Sequence, residues 1–267
     1  MAEPRTAHLV DALGIDGGDL VCVVGAGGKK TTLYALAGAL ERAVVTATVR
    51  IPIFDDHVAD VVVTDDPRAA VESKSARPLG VVPEREREDR YRGYDPAVVS
   101  DLAADLDDVA GGRRSPTARR AAPDDVVLVK ADGARARLLK APNENEPQLP
   151  DRTDIVVPIA SARAVGKPLT AEFVHRPERV AALTGRREGE RIRPVDVATV
   201  LASEEGGRKG IPDGATVVPM VNMADDDELE AVGREIAAEV VARADVPRVV
   251  VARVVDPDPV VAVVESG

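Results

Sequence analysis

Tryptophan is absent from this 267-residue chain, and aromatic residues make up only 2% of it. A core must therefore be built from Val, Ala, Leu and Ile, which the 45% hydrophobic content supplies. A single cysteine, Cys22, excludes any disulfide within the chain, and Cys/His spacing of the kind that holds zinc is missing. Cys22 sits inside an apolar run and reads as a small core residue. No run of 18 apolar residues occurs, and the opening MAEPRTAHLV has no signal-type apolar segment. The expectation is a soluble, cytoplasmic protein with no membrane partner. Lysine is scarce too, with seven against 28 arginines, and the net charge is −11. That balance argues against a nucleic-acid surface. It suits a halophilic cytoplasm, where salt screens the self-repulsion of an acidic surface.

What is present begins with residues 20–37, LVCVVGAGGKKTTLYALA. Leu20 to Val24 read as a buried strand. A turn of Gly25, Ala26, Gly27 and Gly28 follows, then Lys29, Lys30, Thr31 and Thr32, then apolar residues at helical spacing. Strand, glycine-rich turn, Lys-Thr and helix is the context of a phosphate-binding loop. Glycines let the backbone come close to a ligand, and the helix start attracts anions. A lysine reaches the outer phosphates, and a threonine hydroxyl can coordinate Mg²⁺. The spacing is shorter than G-x-x-x-x-G-K-[ST]. Two lysines occupy the place of one, so Lys29 and Lys30 are both candidates for the phosphate contact.

Two later stretches add to this loop. Val126 to Val129 form a second buried-strand run that leads into Lys130-Ala131-Asp132-Gly133. An acid at the carboxyl end of a buried strand is what a second Mg²⁺ contact requires, which makes Asp132 a metal candidate beside Thr31 and Thr32. Further on, a strand ends at Asn222 in N-x-x-D, with Asp225 three residues later. In guanine-specific proteins of this class such a pair reads the base, although Met223 stands where those proteins carry Lys. The plainer alternative is that Asn222 ends the strand and Asp225 to Asp227 cap the next helix.

The remaining chain alternates strand and helix patterns. Helices are predicted over 7–13, 95–109, 178–183, 194–202 and 228–242. Strands are predicted over 42–49, 61–63, 79–82, 154–159 and 248–255, with 256–267 as a tail. Thr46 and Thr48 end one strand, where a parallel sheet places its ligand crevice. The charged run 84–92 reads as a solvated face, and 111–122 as a flexible arginine-rich excursion. Residues 134–150 are polar enough to be expected on the surface beside the crevice. His175 is either catalytic or a structural hydrogen-bonder.

With these stretches in view, the chain resembles the YqeC-type family of selenium-dependent hydroxylase accessory proteins. The residues that carry the likeness are GAGGKKTTLYALA from Gly25, KADGARARLLKAPNENEP from Lys130, GKPL from Gly166, HRPERVAALTG from His175 and VVPMVNMAD from Val217. The departures are the extra lysine at 29–30, Lys130 where an acid is usual, and the arginine-rich insert. The resemblance implies a P-loop nucleotide-binding fold and a part in maturing molybdenum-containing hydroxylases, which would be client partners.

The fold expected is α/β and P-loop NTPase-like, with a mostly parallel sheet flanked by helices. One domain is expected over 1–267, with a flexible insert near 107–123 and a helical excursion near 160–212. The function expected is a Mg²⁺-dependent protein that binds ATP or GTP, as a slow NTPase or switch. In that reading Lys29, Lys30 and Asp132 carry the chemistry. The rivals are a small-molecule kinase or nucleotidyl transferase, and a scaffold that binds its client without nucleotide.

Overall fold

The computed structural model describes residues 7–109 and 125–267. The first half of the chain contains α1 (Ala7–Leu13), β1 (Leu20–Gly25), α2 (Lys29–Ala39), β2 (Ala43–Ala47), β3 (Ile51–Pro52), β4 (Asp60–Val63), α3 (Pro67–Ser73), β5 (Leu79–Val82), β6 (Arg90–Tyr91) and α4 (Pro96–Val109). The second half contains β7 (Val126–Lys130), β8 (Leu139–Lys140), β9 (Ile155–Ser161), β10 (Val174–His175), α5 (Pro177–Thr184), α6 (Pro194–Ala202), β11 (Thr216–Val217), β12 (Met220–Asn222), α7 (Asp227–Val241), β13 (Arg248–Ala252) and β14 (Val260–Glu265).

One large sheet runs in the order β14-β13-β12-β9-β1-β7-β2-β5-β4, and β11 adds to β9. Every pairing in it is parallel except β13 with β14. This is the α/β architecture expected, a mostly parallel sheet with helices on its faces. The reason lies in the strands. β1, β2, β5, β7 and β9 are continuous apolar runs buried along nearly their whole length, as strands covered on both faces must be. Val21 and Val23 pack toward Leu9, Leu13, Leu33 and Leu36 of α1 and α2. Leu20, Cys22 and Val24 point the other way, toward Val71, Val99 and Leu102 of α3 and α4. The β9–β12–β13 side is covered by Val180, Val197, Leu201, Ile236 and Val240 from α5, α6 and α7.

β1 is where the strand order reverses. The chain leaves it for β2, two places to one side, and later crosses from β7 over β1 to β9. Ligand crevices in open parallel sheets lie outside the carboxyl ends of strands at such a point. The register aligns Val23 with Lys130, Lys130 with Ala47, Gly25 with Ile159, and Ser161 with Asn222. Gly25, Lys130, Ser161 and Asn222 therefore border one crevice.

Several local expectations change. Residues 256–267 are not simply a tail, because Val260–Glu265 close the sheet edge as antiparallel β14. The strand before Asn222 is broken into β11 and β12 around Val218 and Pro219, since proline donates no ladder bond. Residues 134–150 are not wholly on the surface: Leu139, Lys140 and Ala141 are buried, and β8 pairs with β10. Within the charged run, Tyr91 is buried and pairs β6 with β3. The excursion at 111–122 lies outside the described residues. No helix among the described residues is long and apolar enough to cross a membrane.

Candidate functional site

β1 delivers the chain to Gly25, and three glycines bend it into α2. Gly25, Gly27 and Gly28 have φ of +89°, +85° and +116°. A Cβ at Gly27 would lie 2.6 Å from the Ser161 backbone nitrogen, and one at Gly28 would lie 2.3 Å from Asn222 Nδ2. The loop is thus pressed against the ends of β9 and β12, where no side chain fits. Its first amides are already committed. Gly25 N donates to Asp132 Oδ2 at 2.9 Å, Ala26 N to Ile159 O at 2.8 Å and Gly27 N to Arg137 O at 2.9 Å. The amides of Gly25, Ala26 and Gly27, residues expected to line the phosphate loop with Gly28, thus donate within the protein.

The helix start is left for an anion. Gly28 caps α2 without a side-chain hydrogen bond, and the first backbone bond inside the helix runs from Thr32 N to Gly28 O at 3.0 Å. The amides of Lys29, Lys30 and Thr31 precede that bond and have no acceptor within the helix. They meet the positive end of the helix dipole at the crevice.

The two lysines separate. Lys29 is buried, donates to Gly25 O, and lies 2.9 Å from Asp132 Oδ1 without the alignment of a hydrogen bond. Lys30 and Thr31 are exposed on the first turn of α2. Thr32 is fully buried, and its hydroxyl donates back to Gly28 O at 3.2 Å.

Asp132 lies at the centre of a buried ionic cluster that the sequence only partly announced. Lys140 Nζ donates to Asp132 Oδ2 at 2.7 Å and Gly133 O at 2.5 Å, and sits 2.8 Å from Glu146 Oε2. Arg176 reaches the same Glu146 oxygen at 2.7 Å. Lys130 is buried beside them, and among the described residues its ammonium has one acceptor, Arg50 O at 2.7 Å. Burial alone would raise the Asp132 carboxyl, but the charges of Lys29 and Lys140 more than offset it and hold it below the usual range. Burial pushes Lys29 down. It also pushes Lys130 down, to about 7, with the neighbouring Lys29 adding to the effect. Lys140 and Glu146 were hidden in the polar stretch 134–150. The signal was there, a lysine on an apolar pair, Leu138-Leu139, ahead of an acidic knot.

The base-reading pair does not converge. Asn222 is buried, with its Nδ2 donating to Gly27 O at 2.9 Å and its Oδ1 accepting from Val254 N at 3.2 Å. Both ends of the amide are spent tying the glycine loop to the segment after β13. Asp225 is instead 2.6 Å from Arg163, as an ion contact rather than an aligned hydrogen bond. Asp226, not Asp225, caps α7, accepting from Leu229 N at 2.8 Å. Thr46 and Thr48 spend their hydroxyls on the carbonyls of Val81 and Gln148. His175 follows the cluster outward on β10, and burial, then Arg176 and Lys140, lower it to about 4.

A family model described as "YqeC protein" matches residues 21–178. The chain belongs to the YqeC family. It is also similar to "Uncharacterized protein YqeC" of Escherichia coli (strain K12), 26% identical over 209 residues that make up 76% of this chain and 75% of that protein. No solved structure matches it. The YqeC match takes in the glycine loop, Asp132, Lys140, Glu146 and Arg176, and stops before Asn222 and Asp225.

The residues expected to hold Mg²⁺ do not fit one. Both oxygens of Asp132 face ammonium groups, at 2.9 and 2.7 Å. The Thr32 hydroxyl is turned into the helix. Thr31 is exposed, but it stands two positions after Lys29, whereas the motif puts its metal-binding hydroxyl one position after the lysine. Lys30 occupies that position. Among the described residues, no group of three or more His, Cys, Asp or Glu is placed to hold a metal ion.

Proposed function

We propose that this chain binds a nucleoside triphosphate, ATP or GTP, at the start of α2 and works as a nucleotide-dependent accessory protein. One observation carries the reading. A strongly acidic chain with seven lysines buries three of them, Lys29, Lys130 and Lys140, at the mouth of its glycine loop. Among the described residues only two carboxylates, Asp132 and Glu146, face those three charges. An unmatched buried cation is costly, and a polyphosphate beside it restores the balance. The place fits as well, since it lies at the carboxyl end of β1, where the strand order reverses.

The ordering of a switch has a route. The line Lys29–Asp132–Lys140–Glu146–Arg176 runs from the loop to the N-cap of α5. Phosphate that draws Lys29 away from Asp132 changes the first link of that line. A role in maturing molybdenum- or selenium-dependent hydroxylases, with such an enzyme as client, rests on the family resemblance alone.

The test is a thermal-shift panel of ATP, GTP and CTP, with and without a divalent metal, in high-salt buffer. Ligand at about a hundred times its dissociation constant adds roughly 2.7 kcal/mol of stability. Stabilisation by a triphosphate, lost in Lys29→Ala, is the expected result. A melting point that no nucleotide moves under either condition rejects the reading.

A further inference from the structure

We propose that the phosphate site works without a divalent metal, and that Lys30 and Lys130 give a bound polyphosphate the positive charge that Mg²⁺ gives elsewhere. This inference rests on the nucleotide-binding reading above and concerns how that same site neutralises its ligand.

Three observations point to it. The first is positional. In a loop of this kind, the helix residue after the phosphate lysine contributes a hydroxyl to the metal. Here Lys29 is the inward lysine, folded onto Gly25 O and Asp132, so the hydroxyl's place falls to Lys30. An ammonium there repels a cation and attracts the phosphate oxygens the cation would have bridged.

The second is the fate of the carboxylate. A metal-supporting aspartate needs an oxygen free for the metal or its water. Asp132 accepts from Gly25 N and from Lys140, both on Oδ2, and Lys29 stands against Oδ1. Lys140 in turn is fixed on Gly133 O and Glu146, and its side chain is fully buried. The carboxylate is therefore the anchor of the lysines.

The third is Lys130. It ends β7, the strand beside β1, in register with Val23 on one side and Ala47 on the other. Lys130 is buried, and among the described residues its ammonium has a single acceptor, a backbone carbonyl, for three N–H groups. Desolvating a cation and leaving two of its donors unused is unfavourable unless an anion arrives. Lys130 and Lys29 are near enough to act on each other's charge, so both stand at the carboxyl ends of neighbouring strands, where Lys29 opens α2; phosphoanhydride oxygens at that helix start would answer both.

The experiment compares binding of ATP and GTP to the full chain by titration calorimetry, in excess EDTA and in excess Mg²⁺, for the wild type and for Lys30→Thr. Lys30 is exposed, so its replacement leaves packing untouched. Wild-type affinity in EDTA is expected to stay within about threefold of that in Mg²⁺. Lys30→Thr is expected to bind about tenfold more weakly in EDTA and to recover part of the loss with Mg²⁺. Wild-type binding that falls about tenfold or more in EDTA overturns metal independence while the nucleotide-binding reading stands. A Lys30→Thr protein that matches the wild type in EDTA overturns the role of Lys30. Absence of binding in both buffers overturns both proposals.

Discussion

β7 carries a buried ionic cluster at each end, and the two are built on opposite plans. At its amino end, Asp125 is held by Arg42 and Arg77, with bonds of 2.8 and 2.7 Å to one oxygen and an Arg77 Nε contact to the other. Arg77 is buried, and its other donors reach the carbonyls of Val71, Lys74 and Ala76. Burial alone would raise Asp125, but the two guanidinium groups outweigh it and hold the carboxyl below its usual range. At the carboxyl end, among the described residues, three lysines face two carboxylates, and Lys130 has one acceptor. The first cluster is closed: it fastens the start of β7 to the turns before β2 and β5. The second is open, with donor capacity and charge left over beside the glycine loop. A closed buried cluster holds a fold together; an open one is incomplete without something else.

Removing each central carboxylate tests that distinction with the largest effect. Asp125→Ala leaves Arg77 buried without its carboxylate, and Asp132→Ala leaves Lys29 without one and Lys140 with Glu146 alone. Each is expected to cost about 3–5 kcal/mol in urea unfolding. The difference lies in rescue. Added triphosphate is expected to stabilise Asp125→Ala by the same increment as the wild type and Asp132→Ala by a larger one, because its ligand then meets lysines no longer neutralised by Asp132. Equal responses to the ligand would erase the contrast between the two ends.

The next effect is steric. Gly27→Ala places a Cβ 2.6 Å from the Ser161 nitrogen at a φ of +85°. A cost of about 2–3 kcal/mol is expected, because backbone on both sides must shift. Gly38 lies within α2 and faces open space where a Cβ would stand, so Gly38→Ala is expected to be neutral or to stabilise by up to about 1 kcal/mol. Thermal melts of the pair separate a loop held rigid by β9 from one that merely turns.

The sequence made the frame and the loop easy to see and the cluster hard to see, for one physical reason. Valine-rich runs, Pro177 and Pro194 at helix starts and Gly185 at a helix end are local signals, and α5 and α6 lie where those signals put them. The glycine loop is local as well. The partners of Asp132 are not. Lys140 stands eight residues on in a stretch whose Asn, Glu and Pro look solvated, and only the pairing of β8 with β10 turns it inward. Asn222 sits 195 residues from Gly27, so its use as a loop tie cannot be read from N-x-x-D. β14 was obscured by Asp and Pro at 256–259, although the apolar run Val260–Val264 behind them is rich in valine, as a strand should be.

Lys130→Met sharpens the comparison further, since it removes charge from the open cluster without removing bulk. The variant is expected to be more stable than the wild type by about 1–2 kcal/mol near neutral pH. The sign with pH follows from Lys130, lowered to about 7 in the folded protein against roughly 10.4 unfolded. Between those values the unfolded chain holds more protons, so wild-type stability rises with pH across the window. The advantage of the variant should shrink over the same range and be gone at its upper end. Denaturant titrations across that range measure it, and an advantage that stays constant with pH would mean that Lys130 is not a buried cation in the empty protein.

The smallest effect reads the field of the open cluster from outside. His175 is depressed to about 4 by burial first, then by Arg176 and Lys140, with Glu146 opposing. Its folded value lies below the ordinary 6.5. Its contribution to stability is therefore complete above about 6.5 and is lost as pH falls toward 4. Solvent access limits that contribution to about 1 kcal/mol or less. Histidine NMR shifts give the value directly. Arg176→Gln is expected to move His175 up toward its ordinary range, because the cation that lowers it most is gone. An Asp125→Ala change, at the other end of β7, is expected to leave it where it is, since the charges that act on His175 are Arg176, Lys140, Glu146 and Arg135.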